Sequence, residues 1–239
     1  MSSEENSADD SRRALTSLHA ELCAQAPSLQ SKVESEIKNL GLHHHVLEFR
    51  SGERSSVIDI HAAHLIHAAF LWDDRPLFEN QFDDREALAA VINRWVCEIA
   101  MPSRMREEFS WLEIDELADY YESGEPVVGE FMRSWDAVEE YYSEETSDYY
   151  RPVRQLIRVL REAGYDRKLR AGQSMASFGL SRAVGHGLRD GQLRVWFDIG
   201  ATEMDVDANF GSGNLQRHPV ELTEEVRSLL DALAERELD

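Results

Sequence analysis

The sequence predicts an α+β protein of two helix-strands-helix modules, each a small antiparallel sheet covered by helices, joined by an acidic helical connector. Three observations lead there. Hydrophobic periodicity switches back and forth between the helical value of about 3.6 residues and the strand value of about 2. Residues 28–100 and 150–237 follow one order, a helix ending at glycine, three or four strands, then an amphipathic helix, although the residues themselves do not align. Between them, residues 107–148 hold fifteen carboxylates against a single cation, Arg133. The expected organisation is a disordered lead over 1–10, an N-terminal module over 11–102, an acidic aromatic connector over 103–149 and a C-terminal module over 150–239.

The lead, Met1 to Asp10, is Ser, Glu, Asn and Asp without an apolar core, so it reads as neither a signal peptide nor an anchor. Leu15, Leu18 and Leu22 set the first helix from about Ser11 to Ala24, closed by Pro27. A second helix is expected after Ser28, burying Leu29, Val33, Ile37 and Leu40 and ending at Gly41. From His44 the period becomes two. Leu47 and Phe49 share one face of a strand, Ser51 to Arg54 turns, and Val57 to Ile60 returns. A strand through Ala68, Phe70 and Trp72, a turn at Asp73 to Pro76 and a strand over Leu77 to Phe82 follow. Asp83 with Glu86 opens a helix striped by Leu88, Val91, Ile92, Trp95, Val96 and Ile99, and Pro102 ends the module.

In the connector, Ser103 and Asp115 are candidate caps, and Phe131, Trp135, Val138 and Tyr142 stripe a helix at core spacing. From Arg151 to Ala163, Val153, Leu156, Ile157 and Leu160 oppose Arg151, Arg154, Arg158 and Arg161, with Gly164 as the stop. Strands are expected over Ser177 to Ala183, Leu193 to Ile199 and Met204 to Phe210. A Gly-rich loop at Gly211 to Asn214 precedes a last helix capped by Thr223 and striped by Leu222, Val226, Leu229, Leu230 and Leu233. The layout looks like that of small acidic secretion-chaperone-type α+β domains, with no signature residue in common.

Charge narrows the partners. A formal net charge of −21 repels nucleic acid and anionic membrane alike. No apolar run approaches the roughly 20 residues of a membrane helix. Cys23 and Cys97 lie inside helical patterns without ligand or redox spacing, which points to a reducing cytoplasm. Residues 151–194 reverse the sign, with ten cations and three acids. Those cations either dock on the acidic segment within the fold or stay free for a partner. The first reading expected is a non-catalytic protein-binding protein without cofactor, its cationic partner met by Asp119, Tyr120, Tyr121, Glu139, Glu140, Tyr141, Glu144, Glu145, Tyr149 and Tyr150. Immunity proteins, antitoxins, nucleic-acid mimics and secretion chaperones would share that chemistry.

Two other chemistries compete. Six of the nine histidines fall between His43 and His67, and on a helix His61 and His64, with His45 from the first cluster, can ligate a metal for hydrolysis. On a strand His64 points away from His61 and the site dissolves. Ser181, Arg182, His186 and Arg189 in a glycine-rich hairpin can grip a phosphate or carboxylate as a small-anion sensor, or merely rim a turn. Asp205, Asp207 and Asn209 imitate a calcium loop, but Gln216 stands where its bidentate Glu belongs, and alternation with Met204, Val206 and Ala208 favours a half-buried strand.

Overall fold

A computed structural model describes residues 3–41, 44–60, 65–144, 148–174, 177–185, 192–211 and 216–238, with side chains from residue 10 onward except at Glu144. The fold is α+β. Among the described residues there are eight α-helices and two five-stranded antiparallel sheets. The chain divides into two compact units, Met1–Gly124 and Glu125–Asp239. No helix among the described residues is long and apolar enough to cross a membrane.

In the first unit, α1 (Ser3–Gln25) and the single turn α2 (Ser28–Ser31) precede strands β1 (Glu34–Gly41), β2 (His44–Ser51), β3 (Arg54–Ile60), β4 (Ile66–Trp72) and β5 (Arg75–Phe82). The sheet is a meander in which each strand pairs with its neighbours in sequence. The β4–β5 turn shows why so short a link suffices. Asp73 and Asp74 both take positive φ, 54° and 61°, as a two-residue turn of the I′ kind requires, and Asp tolerates that region better than most residues. Beyond the sheet come α3 (Arg85–Ile92), a π-helical turn over Asn93–Cys97, α4 (Pro102–Glu108) and α5 (Leu117–Glu122). Leu15, Leu18 and Leu22 from α1, and Leu88, Val91, Ile92, Trp95 and Val96 around α3, bury against Leu47, Phe49, Ile58, Phe70, Phe78 and Phe82.

Several expectations change here. The helix expected to continue to Leu40 stops at Ser31, and 34–41 is an edge strand instead. Val33, Ser35 and Ile37 alternate as well as Val33, Ile37 and Leu40 repeat helically, and pairing with β2 decides for the strand. Leu40 is then 61% exposed. Asp84, not Asp83, caps α3 by accepting from the Glu86 amide at 2.8 Å. Pro102 begins a helix at its first turn, where its missing N–H costs nothing. α1 already starts at Ser3, within the expected lead.

The second unit runs α6 (Pro126–Glu144), a 3-10 turn over Asp148–Tyr150, α7 (Arg151–Glu162), β6 (Arg170–Ser174), β7 (Ser177–Ser181), β8 (Arg194–Ile199), β9 (Glu203–Ala208), β10 (Gln216–Pro219) and α8 (Glu224–Ala234). Its sheet is again a meander. Trp135, Val138 and Tyr142 of α6 meet Val153, Leu156, Ile157 and Leu160 of α7, and both sets meet Phe178, Phe197 and Val206 from the sheet and Val226, Leu230 and Leu233 of α8. Polar pins hold this packing. Trp135 Nε1 donates to Leu169 O at 2.8 Å, and Ser134 Oγ accepts from the Ala171 amide at 2.9 Å at the edge of β6. Tyr165 donates to Asp231 at 2.9 Å and ties α8 down.

The acidic segment divides between the two units. Residues up to Gly124 belong to the first unit, where Arg106 pairs with Asp119 and the Asp115 amide reaches Leu77 O at 3.3 Å. Residues from Glu125 open the second unit as α6 because its apolar stripe is drawn into the core. Two of the four arginines in the α7 stripe, Arg154 and Arg161, dock within the unit, while Arg151 and Arg158 are exposed. Arg161 lies 2.8 Å from Asp136, 2.7 Å from Glu139 and 3.5 Å from Asp166, while Arg154 donates to Tyr142 O at 3.0 Å.

Candidate functional site

Alternation along the second sheet sends Ala171, Phe178, Leu180, Val195, Phe197, Ile199, Met204, Val206 and Ala208 into the core. The residues between them line the other face. Strand register arranges them in three rows. The first is Arg170, Ser181 and Arg194. The second is Gly172, Gly179, Trp196 and Asp207. The third is Ser174, Ser177, Asp198, Asp205 and Arg217. Along β8 the face thus passes from basic through aromatic to acidic within the five residues from Arg194 to Asp198.

In the first row, Arg170 is buried, donates to Val184 O at 2.8 Å and lies 4.0 Å from the Glu130 carboxylate. Gln192, also buried, donates to Ser181 Oγ at 3.4 Å. Its own carbonyl accepts from Asn209 Nδ2 at 2.6 Å, and Asn209 Oδ1 accepts from the Arg194 amide at 2.8 Å. Asn209 thus fastens a loop end to β8, and Asp205 and Asp207 sit on a strand. In the second row, the Trp196 indole covers Gly179. A methyl group there would come within 2.0 Å of the indole ring, so only glycine allows that pose. Over Gly172 a methyl group would meet nothing within 4 Å. The resulting cavity, about 330 Å³, is bounded by the first row, Gln192 and Trp196.

The third row meets the rim. Tyr149, 59% exposed, borders a concavity of about 340 Å³ with Asp198, Glu203, Asp205 and Arg217. Arg217 donates to both Asp205 oxygens, at 2.9 and 3.3 Å, and this guanidinium holds the Asp205 carboxyl below its ordinary range.

The residues expected at a partner surface separate. Tyr121 is only 8% exposed, 5.7 Å from the Trp72 ring, and is core rather than display. Asp119 is spent on Arg106 and Glu139 on Arg161, the cheaper arrangement for a carboxylate beside a cation. Tyr120 and Tyr141 are half-buried, Tyr141 edge-on to Tyr142 at 5.1 Å, and Tyr150 leans on Tyr142 at 5.6 Å. Glu140 and Tyr149 are exposed. Glu145 and the Glu144 side chain fall outside the described residues.

Two of the four residues expected to form the anion grip, Ser181 and Arg182, are among the described residues. Ser181 faces the cavity, but Arg182 spends its fork on Arg236 O at 3.0 Å and Lys168 O at 2.8 Å. His186 and Arg189 lie outside the described residues, as do His61 and His64. His45 pairs with Asn39 across β1 and β2, its Nδ1 buried without a hydrogen-bond partner. His44 Nε2 is 2.7 Å from Asp59 and His67 Nε2 is 3.4 Å from Glu79. Among the described residues, no group of three or more His, Cys, Asp or Glu could hold a metal ion. Arg170, Gln192, Arg194, Trp196 and Asp198 escaped the sequence reading. The alternation of Arg194, Trp196 and Asp198 with Val195, Phe197 and Ile199 was the signal that marks them as one face.

No known protein family matches the chain, and no curated protein or solved structure shows significant similarity to it.

Proposed function

We propose that the chain is a non-catalytic binding protein whose second unit presents an acidic, tyrosine-edged surface to a cationic protein partner. One observation carries the reading. Asp198, Glu203 and Asp205 converge beside Tyr149, and the chain's own Arg217 is already clasped there by two oxygens of Asp205. Glu203 also lies 3.9 Å from Arg217, and Asp198, which makes no ion pair among the described residues, offers its carboxylate to a second guanidinium. Tyr149 supplies an amphipathic ring of the kind enriched at interfaces. The acids of the rim also raise the rate of encounter with a basic surface.

The test is titration of the full chain with an oligoarginine peptide at low salt, followed by heat of binding. Saturable binding that weakens steeply as salt rises, and that falls on replacing Asp198 by Asn together with Glu203 by Gln, is expected. Binding unchanged in that double variant removes the proposal. Neither substitution touches the core, so loss of fold does not confuse the outcome.

A further inference from the structure

We infer that the cavity over Gly172 is a binding site for a carboxylate attached to an apolar or aromatic body. The inference is separate from the cationic partner, since it uses the opposite end of the face. In a chain of net charge −21, this cavity is lined by Arg170, Arg194, Ser181 and Gln192, and among the described residues no carboxylate lines it. Arg194 makes no side-chain hydrogen bond or ion pair among the described residues, so its fork is open to a ligand. A guanidinium fork matches the planar carboxylate in a bidentate pair.

A singly charged group suits the row better than a phosphate dianion. Glu130 sits 4.0 Å from Arg170 and already offsets part of its charge. The body of the ligand has its own place. Gly172 leaves the floor open, and the indole of Trp196, pressed down on Gly179, forms one wall. At about 330 Å³ the space suits a single side-chain-sized group rather than a dinucleotide. The same chemistry can come from a free small acid or from the C-terminal residue of a peptide.

The experiment follows the five indole N–H signals of the full chain by two-dimensional NMR, with Trp196 assigned through Trp196→Phe. Four probes are titrated: phenylpropionate, its amide, acetyl-Gly-Gly-Phe as the free acid, and the same peptide as its amide. The acids are expected to move the Trp196 signal saturably, and the amides to bind at least about tenfold more weakly because the charge-assisted pair is lost. Equal affinity for both acids points to a free small acid. Preference for the peptide points to a chain terminus.

Gly172→Leu starts a side chain into the cavity from a position where a methyl group meets nothing within 4 Å, and Arg194→Gln removes the fork. Each should abolish the shift while the other four indole signals stay in place. Binding that survives Gly172→Leu overturns the inference. So do equal affinities for acid and amide, inorganic phosphate binding as tightly as the acids, or no response from Trp196 at millimolar acid.

Discussion

Replacing Arg54 by Met should leave the first unit within about 1 kcal/mol of its present stability, whereas Ala should cost about 3 kcal/mol. Arg54 is 2% exposed, and its guanidinium carbon lies 3.4 Å from the Trp72 ring centre and 3.8 Å from that of Trp95. Nη2 reaches Met101 Sδ at 3.9 Å, and Nη1 is buried without a partner. Burial pushes the guanidinium down to about 10, against weak help from Glu53 and Glu122. Because that lies below its free value of 12.5, folding disfavours the charged form, and the cost is present throughout the neutral range. It amounts to roughly 3 kcal/mol at about 1.4 kcal/mol per unit. Two desolvated indole faces return about 2 kcal/mol each. The terms nearly cancel. Methionine keeps the stem and gains sulfur-aromatic contacts, while alanine leaves a gap between two rings. The assay is hydrogen exchange of peptides from β3 and β4 in rising urea, which reports the first unit separately from the second. A loss of 2 kcal/mol or more in the methionine variant refutes the balance and makes the guanidinium a net stabiliser.

Three further outcomes are expected. Gly179→Ala should displace the Trp196 indole and cost about 1–3 kcal/mol in the second unit, seen as a shifted indole signal and a lower urea midpoint. Ser134→Ala should leave the Ala171 amide buried and unpaired, costing about 1–3 kcal/mol and raising exchange at that amide. Burial raises Tyr142 to about 12, and burial with the hydrogen bond to Asp231 raises Tyr165 to about 12. The stability this gives is fully present below pH 10 and is lost as pH climbs through about 12. Absorbance titration of the seven tyrosines should show these two ionising late, together with alkaline unfolding of the second unit. Ionisation of all seven in one step near 10 with the unit still folded would contradict it.

Much of the fold was legible because its signals are local. Leu15, Leu18 and Leu22, the stripe of α7 and the cap at Thr223 declare themselves within a few residues, and the structure has them so. β1, β6 and β10 were missed because their evidence lies elsewhere. β1 is settled by its pairing with β2, and β10 carries only Gln216, Arg217, His218 and Pro219. In the acidic segment charge density marks the outward side of a helix, and only the spacing of Phe131, Trp135, Val138 and Tyr142 marks the inward one. Tyr121 looks like display by composition, yet it is buried, whereas Tyr142 is buried as its helical spacing indicates. The cavity over Gly172 was invisible because it depends on register across three strands, which no single window of sequence contains.

Meander connectivity has a consequence for how the chain is made. Every strand pairs with the one that leaves the ribosome just before it, so neither sheet waits for a distant segment, and the closure entropy of each step is small. The closing helices α3 and α8 each follow their own sheet directly. The first unit, complete by Gly124, has all its strand partners in hand before the second has been translated. Each inner strand thus finds its second partner soon after it emerges, and misfolding by exchange of those strands between copies has little time in which to compete.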